Sequence, residues 1–234
     1  PTADPTAMTA ELTWWDTSDP TNEGPAFKQL ISQFNQTYPN VKINYQSVPF
    51  GEAQNKFKTA AAAGSGAPDI LRAEVAWVPE FASLGYLSVL DGTELLADAN
   101  DFLPTPLSSN QYNGKTYGVP QVTDTLALLY NKELFAEAGL SAPPTTWDEV
   151  KTAAAALKDK AGVDGLYIHA GGYFLLPFMY GEGGDLVDPA AKKIVVNSDA
   201  NVAGVTAAQE LVDSGAAVKP PAQDSYGTMM TLFK

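Results

Sequence analysis

Strand-like and helix-like segments alternate along almost the whole chain, and this alternation restricts it to an α/β architecture with a largely parallel sheet. Residues 12–15 read as a short strand, followed by a polar loop over 16–23 and an amphipathic helix. Pro25 sits where a first helical turn tolerates proline, and Phe27, Leu30, Ile31, Phe34 and Tyr38 fall on one face. Pro39 and Asn40 stop that helix, and Val41, Ile43 and Tyr45 alternate as a second strand. A helix over 52–63 closes at Gly64-Ser65-Gly66, and residues 69–71 form a short buried strand.

A helix near 75–84 comes next. Asn113-Gly114 then forms the turn of a hairpin between 111–112 and 116–119. Residues 126–130 read as an apolar strand, and 133–138 as a helix stopped by Gly139. Thr146-Trp147-Asp148-Glu149 is a capping box opening a helix through Lys160. A strand at 166–168, a helix over 173–180, a strand at 194–196 and a helix over 201–212 complete the order, and 228–234 begin another helix.

The chain has 234 residues, 45% of them hydrophobic, enough to bury a core and at the boundary between one large domain and two modest ones. Its 14 Lys and Arg against 27 Asp and Glu give a net charge of −13, with no basic patch, which argues against nucleic acid or an anionic membrane as partner. Only 18% of residues are charged, a weakly charged polar surface suited to uncharged ligands. Without cysteine there is no disulfide framework, thiolate nucleophile or Cys-type zinc site. No apolar run approaches the roughly 18 residues that cross a bilayer. Residues 1–10 are small, polar and rich in Pro and Thr; they read as a flexible tether left after removal of a signal peptide, or as an artificial leader.

Four stretches, in order, carry a family resemblance. They are Leu12 to Asp19 (LTWWDTSD); Ala67 to Glu74 (APDILRAE); Tyr112 to Pro120 (YNGKTYGVP) with Leu129 to Glu133 (LYNKE); and Thr145 to Glu149 (TTWDE) with Gly181 to Gly184 (GEGG). Their succession resembles the extracellular solute-binding proteins of the maltose and maltodextrin type. The resemblance implies a type II periplasmic-binding-protein-like α/β fold of two lobes, incomplete in this chain, with the ligand between them. It implies a tether over 1–10, lobe one over 11–119, a hinge crossing over 120–129 and the first part of lobe two over 130–234. The implied partners are an oligosaccharide, the permease subunits of an ABC importer and the remaining C-terminal segment of the same protein. It calls for no cofactor and no metal, and it implies an extracytoplasmic location, as a cell-surface lipoprotein or in a periplasm.

A sugar presents hydroxyls at its edges and C–H patches on its faces, so its site needs acceptor carboxylates, forked donors and flat rings. Asp16, Thr17 and Ser18 follow the first strand, at the carboxyl end where α/β sheets bind ligands; the alternative is a solvated loop or cap. Arg72 and Glu74 follow the strand at 69–71 and either hold adjacent hydroxyls or pair with each other. Trp77, one turn on, is a stacking platform or a core residue. By resemblance Asp124 matches the family's acidic hinge residue, the alternative being a polar loop carboxylate, and Tyr173 and Phe174 match its second-lobe aromatic position, the alternative being a helix anchor. Gly171-Gly172 stands where maltodextrin members often carry another acid.

The competing class is a glycosidase with paired carboxylates, although a chain with 27 acidic residues places two near any cleft. His169, the sole histidine, reads as structural and leaves metal or triad chemistry without partners. Gly114-Lys115-Thr116 has Ser109 where a phosphate loop needs its first glycine, and no G-x-S-x-G elbow occurs. A solute-binding protein for a peptide, polyamine or iron is the third class, iron being disfavoured by the single histidine.

Overall fold

A computed structural model describes residues 4–223 and 225–233. The chain divides into two units, residues 1–123 and 124–234.

The first unit is built on a parallel sheet. Strand β1 (Ala10–Asp16) leads through helix α1 (Gly24–Thr37) to β2 (Val41–Ser47), which pairs with it in parallel from Ala10 opposite Val41 to Asp16 opposite Ser47. Helix α2 (Phe50–Ala62) then carries the chain to β3 (Ile70–Leu71), parallel to β1 on its other side, so that β1 is central. Helix α1 ends as the sequence predicts, with Tyr38 before Pro39; the Asn35 amide donates to the Tyr38 carbonyl at 3.0 Å and also to that of Val41, tying the exit to β2. Trp15, Val48, Ala53, Phe57, Trp77 and Phe81 form the core between sheet and helices.

A 3-10 turn at Val75–Trp77 runs into α3 (Val78–Ser83). After α4 (Pro104–Ser108) comes the antiparallel hairpin of β4 (Gln111–Tyr112) and β5 (Lys115–Thr116). Its turn requires positive φ at two successive positions, supplied by Asn113 (49°) and Gly114 (72°).

In the second unit, Asn131 caps α5 (Lys132–Glu137), its side chain accepting from the N–H groups of Glu133 and Leu134. Helix α6 (Trp147–Ala156) starts at Thr146, whose hydroxyl accepts from the Glu149 N–H at 3.2 Å. Glu149 returns its carboxylate chiefly to Thr145, accepting from its N–H at 2.6 Å and its hydroxyl at 2.8 Å, one residue before the partner a capping box specifies. A π turn at Leu157–Ala161, closed by Gly162 at φ 69°, extends the helix past Lys160.

Strand β6 (Leu166–Tyr167) precedes a 3-10 turn at Gly172–Leu175 and α7 (Leu176–Gly181). The hairpin of β7 (Val187–Asp188) and β8 (Lys193–Ile194) and helix α8 (Asp199–Asp213) follow. Then β9 (Ala217–Val218) pairs in parallel with β6, and α9 (Ser225–Phe233) comes last. Helices α7 and α8 touch backbone to backbone at Gly204, where an added Cβ would stand 2.5 Å from the Phe178 carbonyl oxygen. Val150, Ile168, Phe178, Ala208 and Leu211 centre one core, and Phe135, Ala138, Ala153 and Leu157 a second.

Three expectations are corrected. The apolar strand at 126–130 is not a strand: among the described residues it finds no ladder partner, and most of it is exposed. Pairing at 194–196 is confined to Lys193–Ile194. In the stretch read as a tether, Pro1, Thr2 and Ala3 lie outside the described residues, but Pro5–Ala7 form a 3-10 turn and the Asn40 amide donates to the Thr6 carbonyl at 2.8 Å.

Candidate functional site

The carboxyl end of β1 gathers the polar groups of the first unit. Asp16 is 0% exposed, and Thr17 and Ser18 are buried beside it. A buried carboxylate is costly unless hydrogen bonds replace its water. Asp16 accepts from the Ser18 backbone N–H at 3.2 Å, from the Ser18 hydroxyl and from the Tyr45 hydroxyl, which reaches across from β2. Burial, reinforced by the bond to the Asp16 carboxylate, pushes the Tyr45 phenol up to about 12. Trp14 stands edge-on to both Tyr45 and Phe27, at 5.4 and 5.2 Å, and walls this hub from the α1 side. Asp16, expected to touch a ligand, presents no surface of its own; its chemistry is spent on Ser18, Tyr45 and, at 3.9 Å, the Nε of Arg72.

Arg72 leaves β3 with its N–H bonded to the Trp15 carbonyl at 2.9 Å. Its guanidinium fans over four acceptors. Nε donates to Gln121 Oε1 at 2.6 Å and Nη1 to Thr17 Oγ1 at 3.3 Å, while Nη2 lies 3.6 Å from the Glu23 carboxylate and Asp16 backs the group. Arg72 is not paired with Glu74: among the described residues the half-buried Glu74 carboxylate has no hydrogen-bonding or ion-pairing partner. A clamped forked donor thus stands two residues from a free acceptor, the combination that adjacent sugar hydroxyls require.

Trp77 is 8% exposed, packed against Phe50 (5.3 Å) and Phe81 (6.2 Å). The expected platform is a core side chain, because the 3-10 turn carrying it aims the indole into the cluster that holds Phe57 and Ala53.

In the second unit, Asp124 is exposed and, among the described residues, unpartnered. Tyr173 is 50% exposed and meets Phe174 edge-on at 5.4 Å; Phe174 stacks on His169 at 4.1 Å, and Tyr226 of α9 lies 6.2 Å from the same imidazole. Nδ1 of His169 accepts from the Gly171 N–H at 2.8 Å, which places the proton of the neutral ring on Nε2. Gly171 permits the approach, since a Cβ there would stand 3.0 Å from Nδ1.

Tyr45, Glu23, Gln121, His169 and Tyr226 were not singled out as site residues from sequence. Tyr45 carried only a strand-alternation signal, and Gln121 lies 49 residues from Arg72 with no local pattern linking them. A shallow groove of about 550 Å³ lined by Trp15, Lys56, Thr59 and Gly66 includes none of the expected site residues. Among the described residues no three His, Asp or Glu gather as a metal site.

The model of the bacterial extracellular solute-binding proteins matches residues 17–232. Among solved structures, the chain is similar to the GacH receptor of Streptomyces glaucescens GLA.O, solved unliganded and in complex with acarbose and an acarbose homolog. The identity is 48% and the TM-score 0.90, over 97% of this chain and 58% of that one. A putative binding protein of Brucella abortus is 34% identical over 59% of this chain and 34% of its own length. The maltotriose-binding protein of Pyrococcus abyssi is 32% identical over 58% of this chain and 28% of its own. The chain thus spans about a third of the length of these curated relatives.

Proposed function

The chain belongs to the bacterial extracellular solute-binding protein family, and on that premise we propose that it captures a maltose- or maltodextrin-like oligosaccharide outside the cytoplasm for delivery to an ABC importer. Its fold is that of the type II periplasmic binding proteins, as the sequence predicts. The observation that carries the ligand class is the pairing of a clamped arginine with the unpartnered Glu74 at the carboxyl end of a parallel sheet. On the first unit Arg72 offers donors and Glu74 an acceptor, with Ser18 and Asp16 holding the loop beneath; on the second, Asp124 offers an acceptor and Tyr173 an exposed ring face. Similarity to a receptor solved with acarbose supports the same class.

In this reading the ligand is bound, not transformed. The hinge over 120–129 lets lobe two close on ligand held by lobe one, because the closed state makes the better contacts. Permease subunits and the remainder of the protein are its partners. A micromolar affinity corresponds to about 8 kcal/mol, within reach of a few polar contacts and one or two stacked rings.

Calorimetric titration of the full-length protein with maltose, maltotriose, acarbose and a non-sugar control, with product analysis of each mixture, tests this. Saturable binding of an intact glucoside is expected; hydrolysis products would instead make the paired carboxylates catalytic, and binding of only the non-sugar would move the ligand class.

A further inference from the structure

The guanidinium of Arg72 is already occupied on the edge that a pair of sugar hydroxyls would take. A planar guanidinium offers two forked edges, Nε with one terminal nitrogen and the two terminal nitrogens together, and bidentate recognition needs one whole edge. Thr17 closes the second edge at Nη1, and Thr17 is buried and also donates to the Arg72 carbonyl at 3.1 Å. Gln121 closes the first, accepting from Nε at 2.6 Å. Glu23 lies 3.6 Å from Nη2 and Asp16 3.9 Å from Nε, both beyond hydrogen-bond distance, so Thr17 and Gln121 are the hydrogen-bonded occupants, and they are unequal. Gln121 is exposed, lies in a stretch without regular structure and, among the described residues, makes no second side-chain hydrogen bond.

We propose that Gln121 is an affinity-setting residue that holds the place of the ligand on Arg72: its amide oxygen occupies the Nε edge in the empty protein and is displaced by a sugar hydroxyl. This rests on the proposed function, since it takes Arg72 as a ligand contact. The placeholder does two things. It keeps a half-buried guanidinium satisfied while the site is empty, so that Arg72 stays extended and aimed. It also makes every binding event break one hydrogen bond to the guanidinium, which lowers affinity without removing any ligand contact. An amide suits this task better than a carboxylate: both accept from the charged guanidinium, but a carboxylate would form a full ion pair with it and compete with a neutral hydroxyl too well.

The test compares Gln121→Ala and Gln121→Glu in the full-length protein by calorimetry with maltotriose, alongside urea unfolding of each variant. With unfolding midpoints close to wild type, Gln121→Ala is expected to tighten binding about threefold to tenfold, because the ligand hydroxyl then displaces water rather than an amide oxygen from Nε. Gln121→Glu is expected to weaken it about tenfold or more at pH 7. Unchanged affinities in both variants would overturn the placeholder while leaving the sugar-binding reading intact. Weaker binding by Gln121→Ala would overturn it too, by making Gln121 a direct ligand contact. If wild type binds no sugar of the panel, the functional reading itself fails and the placeholder falls with it.

Discussion

Thr17 and Arg72 are bonded to each other twice: the Thr17 hydroxyl donates to the Arg72 carbonyl at 3.1 Å and accepts from the Arg72 guanidinium at 3.3 Å. One small side chain therefore fixes both the backbone and the head group of the arginine on the neighbouring strand. Thr17→Val keeps the shape and removes both bonds. We expect a loss of about 1–3 kcal/mol in urea unfolding, since the part-buried Arg72 carbonyl loses its Thr17 donor, and weaker sugar binding, with Thr17→Ser restoring most of both.

Tyr45 supplies one of the bonds that make a fully buried Asp16 tolerable. Tyr45→Phe should destabilise the protein by about 1–3 kcal/mol, measured by urea unfolding at pH 7. It should also loosen Ser18 and lower sugar affinity.

The same phenol gives a pH signature. Its folded value is raised, to about 12, above an unfolded value near 10, so the folded state holds the proton more tightly. Its contribution is fully present below about pH 10 and is lost as pH rises through about 12. An absorbance titration of wild type should contain one late-ionising tyrosine that is missing from Tyr45→Phe; identical curves would remove the hydrogen-bonded hub.

Gly171→Ala tests the aromatic cluster of the second unit. Its Cβ would stand 3.0 Å from His169 Nδ1 and 3.1 Å from Cε1, so the ring must leave its stack on Phe174. We expect a loss of about 1–3 kcal/mol in thermal or urea unfolding. The loss should be largely absent when the substitution is made in a His169→Ala background, a non-additivity that a purely backbone effect would not show.

Gly204→Ala drives a Cβ to 2.5 Å from the Phe178 carbonyl oxygen and 2.7 Å from the Met179 Cα. Neither atom is the end of a flexible side chain, so α7 and α8 must separate. A loss of about 3 kcal/mol or more in unfolding free energy is expected, outweighing the few tenths to 1 kcal/mol that alanine gains in helix propensity.

Local chemistry was legible in the sequence and long-range occupancy was not. Asn113-Gly114 announced its turn because two positive φ angles need those residue types, and Thr146 announced a helix start because its hydroxyl satisfies an N–H three residues on. The periodicity of Phe27, Leu30, Ile31, Phe34 and Tyr38 gave α1 correctly but not its burial: Phe27 is inside, while Leu30 and Phe34 are 54% and 38% exposed. Strands β7 and β9, two residues each, escaped notice. In the site, the loop at 16–18 and Arg72 were visible as polar residues at strand ends. That Asp16 would be consumed internally by Tyr45 follows only from the parallel register of β1 and β2, which local pattern does not encode.

The central place of β1 also governs when the ligand loop comes into being. Its partners are distant in the chain: Thr13 takes a bond from its N–H to the Asp69 carboxylate across 56 residues, and the Arg72 bonds to Thr17 span 55. Parallel pairings of this kind carry high contact order and form late, after long loops have closed. No early local fragment can therefore assemble the loop at 16–18, whose order arrives with that of the whole first unit. Any solute that recognises that loop acts as a folding ligand for the entire unit, raising its global stability in proportion to the logarithm of solute concentration.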